Sequence, residues 1–183
     1  MIRILSILAL LLPLLAEAQS SVSLGNVTCQ YLIIGTNNVI TNSPVYQTVA
    51  ITNGGFETGF LAPAWGSGNG AGGSVGTQGG GAHTGSVSAF LMAGLGGAET
   101  SINQIVTAAP GAVFSFWTKF VNFPANSYVN VVWNSTTLVS LTTSNANWSQ
   151  TSITLTNGGY GLMSINVGGV YQAKVNIDDV AIQ

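Results

Sequence analysis

Val113-Phe114-Ser115-Phe116-Trp117-Thr118-Lys119 sets the period of this chain. Phe114 and Phe116 fall on one side of an extended backbone, and Ser115, Trp117 and Lys119 on the other, because successive strand side chains point to opposite faces. The same alternation returns in Tyr128-Val129-Asn130-Val131-Val132-Trp133, where Val129, Val131 and Trp133 oppose Tyr128, Asn130 and Val132. The wholly apolar sets belong in a core. The mixed sets, with Trp117 and Tyr128, belong on outer faces of sheets.

Working outward, β-branched and aromatic segments recur between Gly, Asn, Pro and Ser, and three- and four-residue apolar spacing is missing. That pattern predicts strands near 49–53, 74–77, 86–93, 101–107, 112–121, 128–134, 137–142, 150–155, 161–167 and 174–182. Residues 66–85 hold ten glycines and read as a loop around one short strand. Many short strands at this spacing indicate an all-β chain, a sandwich or barrel of antiparallel sheets. A leader at 19–48 holds one or two further strands, at 31–34 and 45–50.

The first eighteen residues have the layout of a cleaved signal peptide. Arg3 gives the positive start, Ile4 to Leu15 the apolar run, and Ala16-Glu17-Ala18 the small-x-small cleavage site. The run is shorter than a membrane span, so the expected product is secreted and begins near Gln19. No later run is long enough to cross a bilayer.

Charge excludes several partners. Past the signal sequence, Lys119 and Lys174 stand against Glu57, Glu99, Asp178 and Asp179, two against four, a net of −2 with His83 neutral. Such a surface does not attract the phosphates of nucleic acid or of an anionic membrane. A surface of Asn, Thr, Ser and Gly suits a neutral polysaccharide or glycan, and equally a coat protein solubilised by hydroxyls. Cys29 is the only cysteine, so no intrachain disulfide forms. It either links two chains as a dimer or is a buried, inert thiol. The sequons at Asn26, Asn134 and Asn147 mark surface turns open to glycosylation.

Three motifs occur in order: Asn53-Gly54-Gly55-Phe56-Glu57-Thr58-Gly59 followed by Trp65, then His83-Thr84-Gly85-Ser86-Val87-Ser88-Ala89, and finally Val175-Asn176-Ile177-Asp178-Asp179-Val180-Ala181-Ile182. Between the last two lie Gln104 and Pro110-Gly111, leading into Phe114-Ser115-Phe116-Trp117. Together they resemble the galactose-binding-like jelly roll of carbohydrate-binding modules of the family 4, 9 and 22 kind, over residues 49–183. The resemblance implies a jelly-roll β-sandwich whose first and last strands meet around a structural Ca2+. Its side-chain ligands fall at Glu57 and Asp178, with carbonyls near Asn53 and Ser86. Calcium takes several hard oxygens, which this set offers. Asp178 shares a strand register with Val180 and Ile182 and is therefore expected to point inward.

The ligand site is expected on the Trp117 face. Sugar C–H faces pack on flat rings while amides and hydroxyls bond sugar hydroxyls. Trp117 and Lys119, with Tyr128 and Asn130 on a neighbouring strand and Gln104 joining them, supply both. Trp65 is expected to pack under the opening loop and Trp133 to lie in the core. Catalysis is not expected. Glu57 and Glu99 are the only glutamates past the signal sequence, His83 is the only histidine, and no nucleophile elbow or zinc pattern occurs. A structural coat or adhesion protein using the same sandwich is the competing reading, since fold does not fix function.

Overall fold

The computed structural model describes residues 47–183 throughout, and of the preceding chain four short strands by backbone alone. Two compact units are present, Met1–Val45 and Tyr46–Gln183. In the first, β1 (Val22–Leu24) pairs antiparallel with β2 (Val27–Cys29), and β3 (Leu32–Ile34) with β4 (Val39–Thr41). The signal-peptide expectation and the Asn26 sequon lie outside the described residues.

The second unit is a sandwich of two five-stranded antiparallel sheets. Its strands are β5 (Gly66–Gly68), β6 (Ser74–Gly79), β7 (Val87–Met92), β8 (Thr100–Ala108), β9 (Val113–Asn122), β10 (Tyr128–Trp133), β11 (Thr136–Leu141), β12 (Ser149–Thr154), β13 (Gly159–Gly168) and β14 (Lys174–Ile182). Sheet I runs β11-β10-β13-β8-β5 and sheet II runs β12-β9-β14-β7-β6. Among the described residues the only helix is a short 3-10 turn, Leu95–Gly97.

Two expectations are corrected. The stretch at 49–53 is not a strand: the Val49 N–H donates to the Thr107 carbonyl at 2.9 Å, and the chain then turns. Gly66–Gly68, read as loop, pairs with Asn103, Ile102 and Ser101 of β8. Backbone bonding to a strong neighbour outweighs the poor strand propensity of glycine there.

The core lies between the sheets and is built from the alternating sets. Phe114, Phe116, Val129, Val131, Trp133, Met163, Ile165, Val167, Val175 and Ile177 are all buried. Trp65 is also buried, its indole N–H donating to the Asn53 carbonyl at 3.0 Å under the opening loop. That loop meets the last strand where the Val180 N–H donates to the Gly54 carbonyl at 3.0 Å. A Cβ on Gly54 would collide with the Val180 carbonyl, so the close approach requires glycine. β10 and β11 are joined by Asn134 (φ 45°) and Ser135 (φ 67°), a two-residue primed turn whose twist matches the hairpin.

Candidate functional site on the two outer faces

The residues expected to form one ligand site are placed on three different surfaces. Trp117 and Lys119 sit on β9, on the outer face of sheet II, where Trp117 faces Asp178 and Lys119 faces Asn176 across the β9–β14 pair. Tyr128 and Asn130 sit on β10, on the outer face of sheet I. They are not on a strand neighbouring β9: the chain crosses the sandwich between Asn122 and Tyr128, and the two pairs face opposite directions. Gln104 points inward and is buried. Its amide accepts from the Thr52 N–H at 2.9 Å and donates to the Thr52 and Ala64 carbonyls at 3.0 and 2.9 Å. Gln104 ties the opening loop to β8 and is buried away from both outer faces.

Trp117 is not an open platform either. The His83 ring stacks on it, with centroids 3.7 Å apart and planes 15° from parallel, and the Trp148 ring meets His83 edge-on at 5.8 Å. His83 belongs to the loop that leaves the glycine-rich stretch and crosses the outer face of sheet II. Three carboxylates hold that loop down. Asp178 Oδ2 accepts the N–H groups of His83 (2.7 Å) and Thr84 (3.3 Å). Asp179 takes the His83 Nδ1 and Thr84 Oγ1 contacts, each at 2.6 Å. Glu57 accepts from Ser86 and Val87 at 3.0 Å. A Cβ on Gly85 (φ 63°) would occupy the space of the Glu57 carboxylate.

Asp178 does not point into the core as expected. It is fully buried, but on the outer side of β14, beneath the loop. A register shift between Asp178 and Ala181, with Asp179 at φ 45°, reverses the alternation, so Ile177 and Val180 both face inward. Burial raises the Asp178 pKa above the usual carboxylate value, partly offset by the amides of Asp179, His83 and Thr84.

Of the four calcium candidates, Glu57, Asp178 and Ser86 lie at this loop and Asn53 in the opening loop, and each oxygen named for the metal already accepts a proton donor. The Asn53 carbonyl takes the Phe56 N–H and the Trp65 indole, and the Ser86 carbonyl takes the Gly80 N–H. Among the described residues, no group of three or more His, Cys, Asp or Glu side chains is placed to hold a metal. The donor set fits calcium in chemistry, being hard oxygens with a second lone pair on most of them.

Among the described residues, no such loop crosses the outer face of sheet I. Asn130 lies opposite Ser140 on β11 and Asn166 on β13, and Asn166 lies opposite Ser101 on β8. Ser140, Asn130, Asn166 and Ser101 therefore form an amide and hydroxyl row across four strands, about 14 Å at the usual strand spacing. Ser164 and Asn103 pair in the next row. On the other side of the row, where Tyr128 lies opposite Gly168, its hydroxyl donates to Glu99 Oε1 at 2.9 Å, and Asn166 Nδ2 donates to Glu99 Oε2 at 3.4 Å. Partial burial, then the Glu99 hydrogen bond and charge, raise the Tyr128 pKa. The sequence names Tyr128 and Asn130 on this face but does not single out Asn166, Ser101 or Glu99 beside them. Alternation along 161–167 was the available signal, since it puts Ser164 and Asn166 outward together.

The two described sequons are in exposed turns, Asn134 between β10 and β11 and Asn147 before β12. No protein-family model and no curated sequence matches the chain. Solved structures do. A carbohydrate-binding module, TmCBM61, solved with β-1,4-galactotriose, aligns with a TM-score of 0.54 at 20% identity over 72% of this chain and 94% of its own. The K3 cleaved adhesin domain of Lys-gingipain from Porphyromonas gingivalis gives 0.58 at 17% identity over 74% and 98%. The CBM22-1 xylan-binding domain from Paenibacillus barcinonensis gives 0.53 at 14% identity over 77% and 96%. This chain has the jelly-roll sandwich fold of carbohydrate-binding modules, and adhesin domains share it.

Proposed function

We propose that this protein is a secreted, non-catalytic carbohydrate-binding module that holds an uncharged polysaccharide on the outer face of sheet I. The row of Ser140, Asn130, Asn166 and Ser101 carries the reading. It offers donors and acceptors in register across four strands, the complement of a hydroxyl-bearing chain. Tyr128 adds a ring in the adjacent row, opposite Gly168. Glu99 is the one charged group bonded to this face among the described residues, and it disfavours polyanionic glycans. The fold shared with a module solved with β-1,4-galactotriose supports the same reading, and the signal-like residues 1–18 support secretion.

Asn166→Ala is expected to weaken polysaccharide binding by about 1–2 kcal/mol, a factor of roughly five to thirty. Stability should change by no more than about 0.5 kcal/mol, because the residue lies on an outer face. Affinity electrophoresis against a panel of neutral polysaccharides, paired with melting curves, checks both. If no polysaccharide retards the wild-type protein, the reading fails and the adhesion or coat reading replaces it.

A calcium ion at the His83–Val87 loop is the second part of the proposal, supported by the two carboxylates, Glu57 and Asp178, that meet that loop. Glu57 and Asp178 would hold it, and the ion would supply positive charge between strand ends. Excess calcium is then expected to raise the unfolding free energy by about 2–3 kcal/mol at a hundred times its dissociation constant, and chelator to reverse this. Melting curves that ignore both show that amide protons alone satisfy these carboxylates.

A further inference from the structure

Along β8 and β13 the outer face of sheet I changes character. These two strands pair in strict register: Ser101 with Asn166, Asn103 with Ser164, Ile105 with Leu162, and Thr107 with Tyr160. The first two rows are amide and hydroxyl. The next two carry Ile105, Leu162 and Tyr160, exposed by 58%, 44% and 69%. Val49, exposed by 56%, joins them through its bond to Thr107 at the edge of β8. From the first row to the last is about 20 Å along the strands. Large apolar side chains scattered singly on a surface need no partner, but these are contiguous, and contiguous apolar area beside polar groups marks a place that something covers.

The position of the patch identifies its occupant. It continues the polar rows without a break, on the same two strands and the same face. A ligand lying along β8 and β13 meets hydrogen-bonding groups over its first half and hydrocarbon over its second. A plain polysaccharide can lay a C–H face on the Tyr160 ring, but it has no alkyl or aryl group to bury against the aliphatic Ile105–Leu162 pair. We propose, resting on the carbohydrate reading above, that this face takes an amphiphilic glycan, a sugar carrying an alkyl or aryl group, with the sugar on the Asn166 and Ser164 rows and the apolar group on Ile105, Leu162 and Tyr160.

The test uses n-octyl and methyl glycosides of glucose, galactose, mannose, xylose and N-acetylglucosamine, below micellar concentration, with octyl tri(ethylene glycol) as the sugarless control. Binding is followed by calorimetry and by methyl and amide shifts in heteronuclear NMR spectra. At least one octyl glycoside should bind about tenfold or more tightly than its methyl partner, the gain from burying two methylene groups. It should shift the Ile105 and Leu162 methyls together with the Asn166 side-chain amide. The double variant Ile105→Ser, Leu162→Ser should remove the octyl advantage and keep the affinity for the methyl glycoside or for a retarding polysaccharide. Three results overturn the inference: equal affinity for octyl and methyl glycosides, an octyl chain that binds equally well without sugar, or an octyl advantage that survives the double variant. Polysaccharide retardation together with any of these leaves the carbohydrate reading standing. Absence of every glycan interaction removes both.

Discussion

Trp133→Ala is expected to lower the unfolding free energy by about 3–5 kcal/mol, the usual cost of emptying a buried aromatic site. Trp133 is 8% exposed and closes the inner face of β10, opposite Met163 on β13 and Thr136 on β11. Its ring fills the sandwich near the β10–β11 turn, where a collapsed backbone cannot follow because the two sheets fix the spacing. Ligand binding by the folded fraction should be unchanged, since Asn130 and Tyr128 point the other way. Urea titration measures the first effect and affinity electrophoresis below the unfolding transition the second. A loss under about 1 kcal/mol would show that the indole is outside the core.

Asp178→Ala should destabilise by a similar amount, about 3–5 kcal/mol, for a different reason. The carboxylate is fully buried and accepts from the N–H groups of His83, Thr84 and Asp179. Alanine leaves those donors without an acceptor, and removing one side of a buried charged contact costs far more than the contact itself contributes. The His83 ring is carried by the same loop, so its stack on Trp117 should loosen and alter tryptophan emission. Asp178→Asn keeps the shape and one carbonyl acceptor, and should lose less. Unaltered emission together with near-wild-type stability for the alanine variant would place the anchoring of the loop on Glu57 and Asp179 alone.

Much of this fold is legible in the residues because period two survives almost everywhere. The boundaries of β7 to β14 fall within a few residues of the alternating segments, and both sets of core residues, Phe114/Phe116 and Val129/Val131/Trp133, are buried as their patterns require. Sheet membership is not legible. Nothing in the pattern of 113–119 or 128–133 says that the intervening turn crosses the sandwich, so Trp117 and Tyr128 looked like neighbours. The Asp178 reading failed at a single register shift, where Asp179 adopts a positive φ that no period reveals. Gln104 reads as a ligand-binding amide because a sequence cannot show that it is buried and bonded to the opening loop. The place of His83 in the second motif does not reveal that its ring covers Trp117.

The order of strands also governs how the molecule comes into being. β14 is the middle strand of sheet II, between β9 and β7, which precede it in the chain by more than fifty residues. Until residues 174–182 emerge from the ribosome, sheet II exists as two halves with raw edges on β7 and β9. Unpaired edges recruit other chains, and a surface with so few charges gives little repulsion to prevent it. The β10–β11 hairpin can form in microseconds, but closure of the sandwich waits on distant pairings and is slow. Sheet II is therefore complete only when residues 174–182 slot between β7 and β9.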